Sequence, residues 1–184
     1  ELVTVLVTGG SLGAQRVNST VCRSAAALVG AGAQVLHLTG TGKGEEVRSE
    51  LATQEESVSA RYHVLEYLER MDQAYAACDL VVARSGAGTV SELAALGIPA
   101  VYVPLPVGNG EQRLNAADVV SGGGGVLVSD EEFTPEWVSR ELVPLVRDVE
   151  RLGRMGAAAA AHGVRDGAAR LADLVEGAVR ESGS

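Results

Sequence analysis

Short apolar blocks alternate with stretches of helical periodicity along the whole chain, and only a few residues join one to the next. Strand-helix-strand alternation with short connections builds a parallel sheet covered on both faces, because each crossover must carry the chain back across the sheet. The strands are expected at Leu2–Thr8, Ala33–Thr39, Tyr62–Leu65, Leu80–Ala83, Ala100–Val103 and Val126–Ser129. Between the first two, Val17, Val21, Ala25 and Leu28 recur at helical spacing. Further helices are expected over Glu45–Ala52, up to Ala77, over Thr89–Leu96, over Gln112–Ser121 and from Thr134 onward. Gly97-Ile98-Pro99 supplies the Gly-then-Pro punctuation that stops a helix. With right-handed crossovers, the fold class is α/β: a doubly wound, Rossmann-like parallel sheet of about six strands with C-terminal helices, forming one domain over residues 1–184. The Ala157–Ala161 run, flanked by Gly153, Gly156, Gly163 and Gly167, reads as small-residue helices packing closely over the sheet.

Composition narrows what such a domain binds. Glycine supplies 23 of 184 residues while aromatics make up only 3%, which favours turns close to a ligand over a stacking platform for nucleic acid. The net charge of -9 excludes nucleic acid or anionic lipid held by bulk charge, so an anionic ligand must be held by local donors. No apolar run is long enough to span a bilayer, and the N-terminus reads as a strand rather than a signal peptide. Cys22 and Cys78 sit in apolar helical contexts and read as reduced core thiols of a cytoplasmic protein.

In a doubly wound sheet, ligands sit beyond the carboxyl ends of the strands, so the loops that leave strands carry the functional information. The first is Thr8-Gly9-Gly10-Ser11-Leu12-Gly13-Ala14. A dinucleotide fingerprint would need Gly at position 8 and an acidic residue after the second strand, where Leu38-Thr39-Gly40 stands, so NAD is not supported. The loop can still bring amides and the Ser11 hydroxyl to a phosphate at a helix N-terminus. Gly40-Thr41-Gly42-Lys43-Gly44 is not a Walker motif either, since His37 and Gly44 occupy two required positions. After the fourth strand comes Arg84-Ser85-Gly86-Ala87-Gly88-Thr89-Val90-Ser91-Glu92. Thr89 and Glu92 have capping-box spacing, which accounts for both without a ligand. Gly86 and Gly88 instead point to bare amides forming an anion seat, with Glu92 placed to accept from a ribose diol. Arg84 is either a phosphate contact or a partner for nearby carboxylates. The third loop, from Pro104 to Gln112, leads to Asn115, and its Glu111, Gln112 and Asn115 suit sugar hydroxyls. Together the three loops describe a site for a nucleoside diphosphate sugar.

Gly9-Gly10-Ser11-Leu12-Gly13-Ala14, the Arg84–Glu92 block and Gln112-Arg113-Leu114-Asn115-Ala116 resemble the C-terminal half of the MurG family, and Gly108–Gln112 resembles its actinobacterial version. These are GT-B N-acetylglucosaminyltransferases that convert lipid I to lipid II in peptidoglycan synthesis, at the cytoplasmic face of the membrane. The resemblance covers nearly the whole chain. It implies UDP-N-acetylglucosamine as ligand, with Ser11, between Gly10 and Gly13, meeting the diphosphate. Ala87, Gly88 and Thr89 would line diphosphate and sugar, Glu92 would take the ribose hydroxyls, and Gln112 the N-acetylglucosamine. The backbone at Leu68 would read uracil, because Glu66-Tyr67-Leu68-Glu69-Arg70-Met71 is similar to the family's loop at that point.

The family's N-terminal domain, which carries the lipid acceptor site, the catalytic base and the membrane-facing patch, has no counterpart in these residues. His37 and His63 read as core or edge residues, His162 lies in the terminal helices, and Asp130-Glu131-Glu132 reads as a solvated charge run. There is no D-x-D and no ligand-spaced His/Asp/Glu set, so neither a metal nor another cofactor is expected. The expectation is donor binding without turnover. A donor subunit of a two-chain transferase and the nucleotide-sugar half of an antibiotic glycosyltransferase or UDP-sugar epimerase remain alternatives. A protein-interaction domain would require all three Gly-rich loops to be coincidental.

Overall fold

The computed structural model describes residues 2–10, 14–107 and 109–182. It forms a six-stranded sheet in the order β3-β2-β1-β4-β5-β6, with every neighbouring pair parallel. The strands are β1 (Val3–Thr8), β2 (Ala33–Leu38), β3 (Tyr62–Leu65), β4 (Leu80–Ala83), β5 (Ala100–Tyr102) and β6 (Gly125–Leu127). The first half of the chain adds α1 (Gln15–Arg23), α2 (Ala25–Gly30), α3 (Gly44–Leu51), α4 (Glu56–Ser59) and α5 (Met71–Ala77). The second half adds α6 (Ala87–Leu96), α7 (Glu111–Ser121) and α8 (Pro135–Trp137), then a π-helical turn at Val138–Leu142, α9 (Val143–Arg147), α10 (Val149–His162) and α11 (Gly167–Ser182).

Each strand sends alternate residues to opposite cores, as a pleated strand must. Val5, Val7, Val35, Leu80, Val82 and Val101 face one core, built with α1 to α4 and the C-terminal helices. Leu6, Leu38, Val81, Ala83, Ala100 and Tyr102 face the other, built with α5, α6 and α7. Helix α10 serves both, with Leu152 and Met155 in the first core and Ala159 in the second. β1, at the centre, is buried along its whole length, which is why it reads as a continuous apolar run rather than an alternating one.

The strands lie where the sequence puts them, to within one or two residues. One helix does not. The stretch around Val17–Leu28 breaks at Ser24, whose hydroxyl donates to the Thr20 carbonyl at 2.8 Å while its amide is shared between the Thr20 and Val21 carbonyls. That side-chain competition with the backbone ladder ends α1 and separates it from α2. The four-residue α4 carries too little periodicity to be read from sequence, and only Val58 in it is buried.

Of the glycines flanking the Ala157–Ala161 run, Gly156 and Gly163 pack closely as expected, whereas Gly153 and Gly167 do not, and α11, exposed along nearly all of its described length, does not cover the sheet. Gly97 ends α6 in the left-handed region at φ 70°, and its carbonyl lies 2.7 Å from where a Cβ on Gly156 would stand. A Cβ on Gly163 would meet the Ala94 carbonyl at 2.5 Å, and one on Gly124 the Ala159 Cα at 2.6 Å. Glycine is therefore what lets α10 lie against α6 and the β6 approach. A Cβ at Gly153, one turn earlier, meets nothing. Gly156→Ala is expected to cost about 1–3 kcal/mol through overpacking, while Gly153→Ala should gain about 0.5–1 kcal/mol of helix propensity. Urea denaturation of the two variants reads this opposition of sign.

Candidate functional site

The carboxyl ends of β1, β2 and β3 and the opening of α6 surround a cleft of about 270 Å³. Gly10, Leu68, Thr89 and Glu92, four residues singled out from the sequence, all line it. Thr8, Leu38, Tyr67, Met71 and Tyr75 complete much of the wall. Gly10 adopts φ 78°, and its amide donates to the Thr8 hydroxyl, so the chain turns sharply as it leaves β1. Ser11 and Gly13 lie outside the described residues.

The capping box does not form. Gly86 is the N-cap of α6, with φ −62° and ψ 148°, and the first intrahelical bond runs from the Val90 amide to the Gly86 carbonyl. The helix thus begins two residues before Thr89, which becomes its third residue. Because Gly86 has no side chain, the amides of Ala87, Gly88 and Thr89 open the helix without a side-chain cap. A Cβ on Gly86 or Gly88 would meet no atom within 4 Å, and neither has a positive φ. Neither internal packing nor backbone strain explains these two glycines. Ser85, just before them, is fully buried, and its hydroxyl has no hydrogen-bond partner among the described residues.

Glu92 is fixed differently. Its Oε2 accepts from the Tyr75 hydroxyl at 2.9 Å. Burial, reinforced by that carboxylate, pushes the Tyr75 phenol well above its usual range, so it remains a donor at neutral pH. Tyr75 was not legible in the sequence, since nothing in the spacing of residues 75 and 92 marks them as partners. Glu66 is likewise new: it accepts from the Gly42 amide at 2.8 Å and meets Arg48 at 3.3 Å, two contacts that hold its carboxyl below the usual range. The Gly40–Gly44 loop is therefore clamped onto the turn that leads to Leu68.

Arg84, Gln112 and Asn115 stand to one side of the cleft. Arg84 Nη1 donates to the Val103 and Pro104 carbonyls and lies 2.6 Å from Asp130. Of its two sequence readings, this geometry is that of the carboxylate partner. Asp130 in turn is no solvated charge: its side chain is 11% exposed and also meets Arg16 at 2.9 Å. Run composition hid this, because Asp130 turns inward while Glu131 and Glu132 are exposed. Gln112 Oε1 accepts from the Leu105 amide and Asn115 Nδ2 donates to the Ser85 carbonyl, so both amides brace the loops that flank α6. Among the described residues, no three His, Cys, Asp or Glu side chains gather in a metal-binding cluster.

The family model for the glycosyltransferase family 28 C-terminal domain matches residues 4–171. The chain belongs to this family. A relative of the family 28 domain, from Clavibacter sepedonicus, is 53% identical over 176 residues, covering 96% of this chain and 46% of its own length. It is named "UDP-N-acetylglucosamine--N-acetylmuramyl-(pentapeptide) pyrophosphoryl-undecaprenol N-acetylglucosamine transferase". The Bifidobacterium longum protein of the same name is 53% identical over 180 residues, covering 91% of this chain and 45% of its own. The chain thus spans about half the length of the curated relatives it matches. Among solved structures, Acinetobacter baumannii MurG superposes with a TM-score of 0.85 at 28% identity, covering 96% of this chain and 50% of that one. A Neisseria meningitidis UDP-GlcNAc 2-epimerase bound to UDP-GlcNAc superposes at 0.64 with 13% identity, covering 95% of this chain and 44% of its own, and shows the fold alone.

His37, on β2 behind the cleft, is fully buried, and burial lowers its pKa to about 3. The unfolded chain takes up a proton there below about 6.5 and the folded chain does not, so the stabilisation is complete above that pH and is lost as pH falls toward 3. Between pH 6.5 and 5 the wild type should lose up to about 1.4 kcal/mol per pH unit relative to His37→Gln, read by denaturant titrations at each pH.

Proposed function

We propose that this chain is the donor-binding half of an N-acetylglucosaminyltransferase that transfers N-acetylglucosamine from UDP to a lipid-linked acceptor, converting lipid I to lipid II. The observation that carries this is the mouth of α6. Two glycines with no internal packing reason leave its first amides bare, beside a cleft walled by Leu68 and by a Glu92 carboxylate that Tyr75 holds in place. The names of relatives above 50% identity support the donor sugar and the acceptor class.

In this reading the pyrophosphate lies between the loop carrying Gly10, Ser11 and Gly13 and the amides of Ala87, Gly88 and Thr89. Sugar transfer makes UDP the leaving group, and the charge that develops there is met by those amides and the helix dipole, with single donors in such sites contributing about 3–4 kcal/mol. Glu92 accepts from the ribose hydroxyls, and Tyr75 sets its rotamer before the donor arrives. The backbone at Leu68 reads uracil in the apolar part of the cleft, and the free amide group of Gln112 reaches the sugar. Arg84 and Asn115 hold the loops that these residues stand on. An attacking hydroxyl also needs a base. His37 is buried away from the cleft and neutral, and this reading assigns the base to the part of the relatives' length that this chain does not span. The lipid acceptor and contact with the inner face of the membrane are assigned there too; no helix among the described residues is long and apolar enough to cross a bilayer.

Titration calorimetry of this chain with UDP-N-acetylglucosamine should give saturable binding. Glu92→Ala should weaken it about tenfold, the loss of a charge-assisted pair of hydrogen bonds to the ribose. Silence at millimolar donor would overturn the assignment. Sugar transfer by this chain alone would overturn the placement of the base.

A further inference from the structure

Behind the cleft, a chain of hydrogen bonds among buried side chains runs from β3 to the first turn of α1. Tyr62 meets His37 Nδ1 at 2.8 Å, His37 Nε2 meets Asn18 Oδ1 at 3.0 Å, and Asn18 Nδ2 donates to the Thr39 carbonyl at 2.9 Å. All four residues are at most 5% exposed. The direction of every bond follows from its last acceptor. A carbonyl only accepts, so Asn18 presents its NH2 to Thr39 and its oxygen to His37. His37 must then carry its hydrogen on Nε2 and, being neutral, accept from the Tyr62 hydroxyl on Nδ1.

The position of Asn18 gives this chain its consequence. Its amide makes the first bond of α1, to the Ala14 carbonyl, so its side chain grips the helix at the end that opens toward the cleft. Thr39, at the other end of the tie, leaves β2. Its amide donates to the Leu65 carbonyl and that of Gly40 to the Glu66 carbonyl, where the chain turns toward Leu68. We propose that His37 and Asn18 are positioning residues for the donor, setting the mouth of α1 at a fixed distance from the turn at Glu66–Leu68, so that pyrophosphate and uracil are engaged together. This rests on the donor-site assignment above.

Two variants divide the histidine's roles. In His37→Gln the amide nitrogen stands near Nε2 and still donates to Asn18. In His37→Asn the side-chain oxygen stands near Nδ1 and still accepts from Tyr62, but Asn18 loses its donor. With Tyr62→Phe, all three are expected to lower the melting temperature. Only His37→Asn should raise the Kd for UDP-N-acetylglucosamine, by about fivefold to tenfold, with the other two within about twofold. Hydrogen exchange without donor should show faster exchange at Asn18–Val21 in His37→Asn than in His37→Gln. Should His37→Asn fail to fold, Asn18→Ser takes its place with the same expectation. Equal Kd values for the Asn and Gln variants, an equal loss in Tyr62→Phe, or matched exchange at α1 would overturn the proposal. Exchange that differs as expected in a wild type that binds no donor would support the positioning of α1 and reject the donor site instead.

Discussion

A parallel sheet buried on both faces leaves polar chemistry almost nowhere to go except the ends of its strands. Here β1 is buried from Val3 to Thr8, and apolar side chains fill both cores against the sheet. At the carboxyl edge the constraint inverts. Each strand hands the chain to a helix whose first amides lack partners, and those orphan donors are fixed features of the fold. The cleft at Gly10, Leu68, Thr89 and Glu92 is where several such exits converge.

That geometry resolves a conflict in the charge. A chain with a net charge of -9 repels a pyrophosphate at long range, and salt screens that repulsion within about 10 Å. Inside the cleft the balance is set by what lies within hydrogen-bonding distance. The uncapped opening of α6 directs partial positive charge outward. Two carboxylates of the cleft wall are held by neighbours, Glu92 by Tyr75 and Glu66 by Gly42 and Arg48, and Asp130 to one side is held between Arg16 and Arg84. A mobile carboxylate at a helix mouth would occupy the same amides.

The strand-to-helix exits were legible because the feature that marks them is local. Glycine at 86 and 88 and the apolar block before them are visible in a short window, and of the residues singled out with them Gly10, Leu68, Thr89 and Glu92 line one cleft while Arg84, Gln112 and Asn115 do not. What escaped was every contact between residues distant in sequence. Tyr75 and Glu92 belong to different helices, Arg84 and Asp130 to the exits of different strands, and Asn18, His37 and Tyr62 to three separate elements. The capping box failed for a related reason. T-x-x-E matches a local rule, but Gly86 offers an earlier cap and the helix takes it, after which Glu92 is free to pair across to α5.

The amino-acid order by itself determined the class of fold, the positions of the six strands and the loops that carry chemistry, because alternation and glycine punctuation act over a few residues. Only the tertiary structure decided which polar side chains line the cleft and which hold the scaffold. Arg84, Asn115 and Asp130 are ties between loops, Tyr75 holds Glu92 from within the cleft wall, and His37 is part of the support behind it. A polar side chain's role depends on the partner it finds once the sheet has brought distant segments within about 3 Å, and no spacing along the chain encodes that meeting.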